Sequence, residues 1–98
     1  MDEVVFQRFV DGDDAAFTFI YNKYVDLLLQ YGRSLGFEKE VLKDAIQDVF
    51  VKLYLNRRNL SEVRNLKYYL FRSLKNNLLD MLKVSVDTCS IDDYQYKF

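Results

Sequence analysis

Hydrophobic residues recur every three or four positions along most of this chain, which is the spacing of amphipathic helices. The pattern predicts helices over about 2–10, 14–35, 38–56 and 66–83, separated by short polar segments. We therefore predict an all-α fold, a compact bundle of three to four helices. The positions predicted to face its core are Phe6, Phe9, Val10, Phe17, Ile20, Tyr24, Leu28, Tyr31, Leu35, Leu42, Ala45, Ile46, Val49, Leu53, Leu66, Leu70, Leu74, Leu78 and Met81.

Capping residues mark several ends of these predicted helices. Asp13 or Asp14 is expected to cap the second helix, and Asn65 the fourth. Gly36 suits a left-handed cap at the end of the second helix. Gly32 lies inside that helix, where glycine costs about 1 kcal/mol relative to alanine. It either permits the close approach of a neighbouring helix or has no special role.

Composition narrows the fold and the chemistry. The 98 residues make one small domain, and three glycines without any proline are too few turn residues for a β-sandwich or barrel. The chain has no histidine and one cysteine, Cys89, which excludes histidine-based catalysis, zinc sites of the usual kind and an internal disulfide. We predict a protein that is not an enzyme and that binds no metal or cofactor. Because no apolar run approaches a membrane span or a signal peptide, we expect it in the cytoplasm.

Charge is distributed unevenly along the chain although the net charge is only −1. Residues 1–50 hold 10 acids and 5 bases, whereas residues 51–84 hold 8 bases and 2 acids. Residues 85–98 carry a net charge of −2 and lose the helical period, which is typical of a linker or a frayed end. The asymmetry indicates two different partners, although small domains also show such imbalance by chance.

The side of the third predicted helix that faces away from the core is acidic and partly apolar. A solvated face more often mixes Glu with Lys, so this composition favours a docking surface over a plain wet face, and both interpretations stay open. The residues on this side are Glu40, Asp44, Gln47, Asp48, Val51 and Leu55.

The segment after the third helix and the outer side of the fourth are basic. Arg57 and Arg58 open a polar loop, where they either clamp phosphates or interact with the preceding helix dipole, and Asn59 has the amide to read a base edge. The outer side of the fourth helix suits a phosphate backbone and a stacked base, or is an ordinary basic surface. It carries Tyr68, Arg72, Lys75, Leu79 and Lys83, with Asn76 beside them.

Three segments resemble region 2 of the sigma-70 superfamily of RNA polymerase sigma factors, and within it the extracytoplasmic-function (ECF) group. They are DAIQDVF at 44–50, YYLFRSLKNNLLDMLK at 68–83 and VDGDDAAFTFIYNKYVDLLLQYG at 10–32. The segments follow the order and spacing of the family, and the resemblance as a whole covers about residues 3–83.

The resemblance implies a docking role for the third helix. In the family, the DxxQ(E/D) motif binds the clamp helices of the RNA polymerase β′ subunit. The matching positions are Asp44, Gln47 and Asp48. They lie on the outer side identified above, and Val51 is assigned to the same contact.

The resemblance also implies that the loop and the fourth helix bind promoter DNA. In the family, the loop captures an unstacked base of the minus-ten element, on the non-template strand, and helps to melt the duplex. Asn56 and Leu60 are expected in the pocket wall, and the fourth-helix positions of the family pattern are Tyr69, Leu70, Arg72 and Asn76. Where the family usually has Trp, this chain has Tyr69, which either stacks more weakly or only packs.

Domain organisation and partners follow from the same resemblance. We expect a region 2-like domain over residues 1–83 and an acidic linker or disordered tail over residues 84–98. Family members carry a second domain with a helix-turn-helix, which we do not find in these 98 residues; a fragment and a truncated form both fit. Anti-sigma factors cover the same two faces in the family, so such a partner is allowed here. The alternative function is a non-enzymatic helical adaptor that binds only protein.

Overall fold

Four α-helices make up the described part of the fold. The structure, a computed structural model, describes residues 3–60 and 64–89, with side chains for 3–60 and 65–83. The helices are α1 Glu3–Val10, α2 Asp14–Ser34, α3 Lys39–Leu55 and α4 Arg64–Cys89, and a 3₁₀ turn at Arg57–Asn59 follows α3. The described residues contain no strand, and the predicted all-α fold is confirmed.

The core is a single apolar cluster in which α2 packs against the three other helices and α3 packs against α4. Its buried residues are Phe6, Phe9, Ala16, Ile20, Tyr24, Leu28, Leu42, Ala45, Ile46, Val49, Phe50, Leu53, Leu66, Leu70, Leu74 and Leu78. Val10, Phe17 and Tyr31 pack against this cluster while half-buried. Two predicted core positions are wrong, because Leu35 is 47% exposed and Met81 is 37% exposed.

The predicted caps at both ends of α2, Asp13 and Gly36, are confirmed. The Asp13 carboxylate accepts hydrogen bonds from the backbone N–H groups of Ala15 at 2.8 Å and Ala16 at 3.4 Å. Gly12 and Gly36 both have φ of 96°, a left-handed conformation that ends α1 and α2 at little cost only for glycine. Leu35 is the residue between α2 and Gly36, so it leaves the inward row of that helix.

Gly32 is needed for the contact between α2 and α3. A Cβ atom at this position would overlap the side chain of Leu42, which is fully buried and cannot move aside freely. The close-approach interpretation of Gly32 is therefore confirmed.

Helix α4 differs from its prediction at both ends. It begins at Arg64, so Asn65 lies inside the first turn and is not its N-cap, and it continues to Cys89 instead of ending near residue 83. Leu78 is the last buried residue among the described side chains of α4, which end at residue 83. Met81 and Leu82 continue the apolar period but are exposed, whereas the backbone of the helix continues because its hydrogen bonds are internal. The predicted tail beyond Cys89 lies outside the described residues.

Candidate functional site

The outer face of α3 holds the predicted docking residues in one exposed row. Asp44, Gln47 and Asp48 are exposed, and Val51 beside them is 50% exposed. The side chains of the first three make no hydrogen bond or ion pair with another described residue. The helical period produces this arrangement, since the opposite row of α3 is buried. The face is therefore free to bind a partner.

A cavity of about 340 Å³ lies beside this face, between α2 and α3. Tyr21, Val25 and Leu29 of α2 form its apolar wall, and Gln47 is shared with the outer face of α3. The docking row thus borders an apolar recess that a partner side chain could enter.

The first two residues after α3 bond to helix ends, Asn56 to the end of α3 and Arg57 to the ends of both α1 and α3. The Asn56 side-chain amide donates to the Lys52 carbonyl at 2.9 Å. The Arg57 guanidinium donates from Nε to the Val10 carbonyl at 3.2 Å and from Nη1 to the Tyr54 carbonyl at 2.9 Å. It also lies over the Tyr54 ring, 4.2 Å from the centroid. Both side chains have partners within the protein.

The other predicted loop residues are placed differently. Arg58 and Asn59 are exposed, whereas Leu60 is half-buried and packs against the core. Residues 61–63 of the predicted loop lie outside the described residues. The described part thus brings one free cation and one free amide to the surface next to an apolar side chain.

Four predicted DNA-binding residues line one open groove of about 560 Å³, which we call the α4 groove. They are Tyr68, Arg72, Lys75 and Asn76. Tyr68 is 66% exposed, and the Arg72 guanidinium lies 6.0 Å from the centroid of its ring. The groove therefore combines an exposed aromatic ring, two cations and an amide.

Sequence reasoning missed the other side of this groove. Tyr31 of α2 lines it together with Phe71 of α4, and the rings of Tyr31 and Phe71 meet edge to face with centroids 5.2 Å apart, whereas Leu79, which also lines the groove, was already on the predicted outer side of the fourth helix. The helical period assigned Tyr31 to the core, and the ring is indeed half-buried. A tyrosine at a core position is amphipathic, which is the one signal that could have indicated a groove edge.

Tyr69 and Leu70 do not belong to the groove. Leu70 is fully buried, and Tyr69 is half-buried against the core. Of the two interpretations of Tyr69, the packing one agrees with its position, while a stacking role has no support in the described contacts.

A comparison with protein families decides what these surfaces belong to. The family model for sigma-70 region 2 matches residues 20–85, about two thirds of the chain. The chain belongs to the sigma-70 region 2 family. Sigma-70 region 2 is a non-enzymatic domain of RNA polymerase sigma factors, which interact with the core polymerase and with promoter DNA in transcription initiation.

The matched residues of this sigma-70 region 2 domain include the outer face of α3, the loop and the α4 groove, but not α1. The searches of curated proteins and of solved structures found no significant match. The family assignment therefore rests on the match to the sigma-70 region 2 family model alone.

The electrostatics of this sigma-70 region 2 domain are simple. Among the described residues, Glu40 and Lys43 form the one ion pair, at 3.8 Å and on the exposed side of α3. Burial raises the pKa of the Tyr24 hydroxyl above its ordinary value of 10.0.

The described residues contain no cluster of acidic or cysteine side chains that could hold a metal ion. None of their helices is long and apolar enough to cross a bilayer.

Proposed function

We propose that this chain is the polymerase-binding and promoter-melting domain of an ECF sigma factor, acting in the cytoplasm. The outer face of α3 would dock on the clamp helices of the β′ subunit. The loop and the α4 groove would hold the non-template strand of the minus-ten element. An anti-sigma factor that covers both faces would inhibit both steps.

One observation carries the polymerase part of this proposal. Asp44, Gln47 and Asp48 fall within the residues matched by the family and form one exposed row without partners in the described structure. Acidic groups that the fold does not use are available to a basic partner surface, where charge complementarity selects the partner and speeds association. Val51 and the recess beside Gln47 supply apolar contact next to these charges.

The DNA part is supported by the chemistry of the α4 groove. Arg72 and Lys75 attract phosphates by releasing counterions, irrespective of sequence. Aromatic rings in the groove offer faces or edges to an unstacked base, and such contacts stabilise single strands more than duplexes. Asn59, exposed on the loop, can read a base edge. Melting would follow because the opened strand gains contacts that the closed duplex lacks.

Binding to an isolated β′ clamp-helix fragment tests the first part. The Asp48→Arg variant is expected to lose binding by about a hundredfold or more, since one attraction becomes a repulsion at a desolvated contact. Asp26→Arg is the matched control, because Asp26 is also an exposed acid in the middle of a helix, on α2. It should bind like the wild type, and circular dichroism should show that both variants are folded.

Two outcomes would contradict the assignment. Equal binding by the wild type and Asp48→Arg would show that α3 is not the docking face. If the folded wild-type chain does not bind the fragment at all, the helical adaptor becomes the better interpretation, and an acidic protein surface becomes the expected partner of the basic residues on α4.

A further inference from the structure

The carbonyl groups at the end of α1 are completely paired, and one of them depends on the loop after α3. The last four carbonyls of a helix have no partner within it. Backbone N–H groups of Asp11, Gly12 and Asp13 supply three partners, at 2.9, 3.0 and 2.9 Å to the carbonyls of residues 7, 9 and 8. The fourth carbonyl, that of Val10, accepts its hydrogen bond from Arg57.

The same guanidinium serves the end of α3. Tyr54 lies in the last turn of that helix. Its carbonyl accepts a hydrogen bond from Nη1 of Arg57, and the guanidinium stacks over its ring. A cation is favoured at the C-terminus of a helix by the helix dipole, and Arg57 lies at two such ends at once. A planar guanidinium with donors at fixed angles can meet both carbonyls, which a lysine ammonium cannot do while also stacking.

The geometry points to Arg57 as a positioning residue that fixes the base-reading loop, with α1 as its anchor, and not as a phosphate contact. The 3₁₀ turn that starts with Arg57 contacts both α1 and α3, and the Arg57 carbonyl accepts from the Leu60 N–H at 3.3 Å. The Arg57 side chain thus ties the start of the turn that carries Asn59 and Leu60 to the ends of both helices, in addition to the packing of Leu60 against the core. This inference rests on the proposed function only where it calls the loop base-reading.

The helix α1 acquires a role through this contact. It lies outside the residues matched by the family, yet it supplies the carbonyl that holds Arg57. A Cβ at Gly12 would lie 3.6 Å from Nη2 of Arg57, an ordinary van der Waals contact, so glycine is favoured there by the φ of 96° and not by a lack of space.

Arg58 provides the matched control, since it is the next residue, has the same charge and is exposed. The experiment compares the full 98-residue chain with Arg57→Lys, Arg57→Ala and Arg58→Ala. The probes are a single-stranded DNA selected by the wild type from a random library and a scrambled strand of equal composition. Their Kd values are measured at several salt concentrations, after circular dichroism has shown that each variant is folded.

Positioning and phosphate contact predict different results for these variants. If Arg57 positions the loop, Arg57→Lys loses about tenfold in preference for the selected strand while the dependence of Kd on salt stays unchanged. Arg58→Ala binds both strands more weakly, with a smaller salt slope and an unchanged preference. A normal preference in Arg57→Lys, with a smaller salt slope in Arg57→Ala, would overturn the inference in favour of a phosphate contact.

A second measurement separates this inference from the proposed function. Amide ¹⁵N relaxation in the absence of DNA should give lower order parameters at residues 58–60 in Arg57→Lys than in Arg58→Lys. Equal order parameters would overturn the positioning role. If instead the wild type selects no strand but the order parameters differ, the loop is positioned by Arg57 and the DNA function is wrong.

Discussion

The outer faces of α3 and α4 are built alike and differ in charge. Each helix buries an apolar row against the core, and each leaves aliphatic residues on the outside, such as Leu55 at 71% and Leu79 at 51% exposure. The α3 face surrounds them with acids, whereas the α4 face surrounds them with cations and aromatic rings. The same packing solution thus presents two surfaces that would select partners of opposite charge. The difference between the faces lies in residues that the fold itself does not need.

The largest effect should come from truncating a buried leucine of α3, compared with truncating a leucine on its outer face. Leu53→Ala removes a fully buried side chain and should lower the free energy of unfolding by about 2–5 kcal/mol. Leu55→Ala, on the outer face, should change it by less than about 0.5 kcal/mol. Urea unfolding followed by circular dichroism measures both. Similar losses would mean that the outer face contributes to the fold and is not reserved for binding.

The next effect tests whether α2 contributes different residues to the α4 groove and to the recess beside the outer face of α3. Tyr31→Leu should weaken binding of an oligothymidine strand by about tenfold, because an aromatic edge leaves the α4 groove. Tyr21→Leu is the crosswise control, since Tyr21 lines the recess beside Gln47 and packs on Phe50 at 4.8 Å. It should leave binding of the strand unchanged. If both variants lose DNA binding equally, the two sides are not independent.

A smaller effect concerns the cations of the α4 groove. Arg72→Ala should reduce the slope of log Kd against log salt for single-stranded DNA by about one, because one phosphate contact is lost. Lys23→Ala removes an exposed cation of α2 outside the groove and should leave the slope as in the wild type. A wild-type slope for Arg72→Ala would remove this residue from the DNA contact.

The smallest effect concerns a buried tyrosine of α2, Tyr24, and the pH dependence of stability. Tyr24 is 7% exposed and its pKa is raised by desolvation, because the folded state favours the neutral phenol. Its contribution to stability is therefore complete below pH 10 and is lost as the pH rises through the folded pKa. Tyr24→Phe should unfold less readily than the wild type above this pH, in thermal melts at increasing pH. An unchanged alkaline profile in Tyr24→Phe, or the same gain from the exposed control Tyr68→Phe, would contradict this origin.

Sequence periodicity predicted the parts of the fold in which neighbouring helices cover one another. It placed α3 within one residue at each end and separated its two faces correctly. It failed at Met81, which keeps the apolar period of α4 but is exposed, and at the end of α4, which continues to Cys89 beyond the predicted residue 83. The period of one helix reveals what it buries, and not how far it extends.

The site could be predicted only as far as single helices define it. The acidic row of α3 and the four groove residues of α4 each follow one helical period. Tyr31 could not be assigned to the groove because it arrives from α2, and no local pattern states which helices lie side by side. Arg57 shows the same limit, since its partner at Val10 is 47 residues away in the chain.

The scarcity of ion pairs in the described part of the fold has a consequence for the living cell. Apolar packing, which holds the core, is not screened by salt, whereas attraction between cations and nucleic acid weakens steeply as the ionic strength rises. Osmotic stress that raises the potassium ion concentration would therefore weaken the proposed binding of this domain to promoter DNA while leaving the domain folded. Once the potassium concentration fell again, the same molecules could resume binding without any need for new synthesis or refolding.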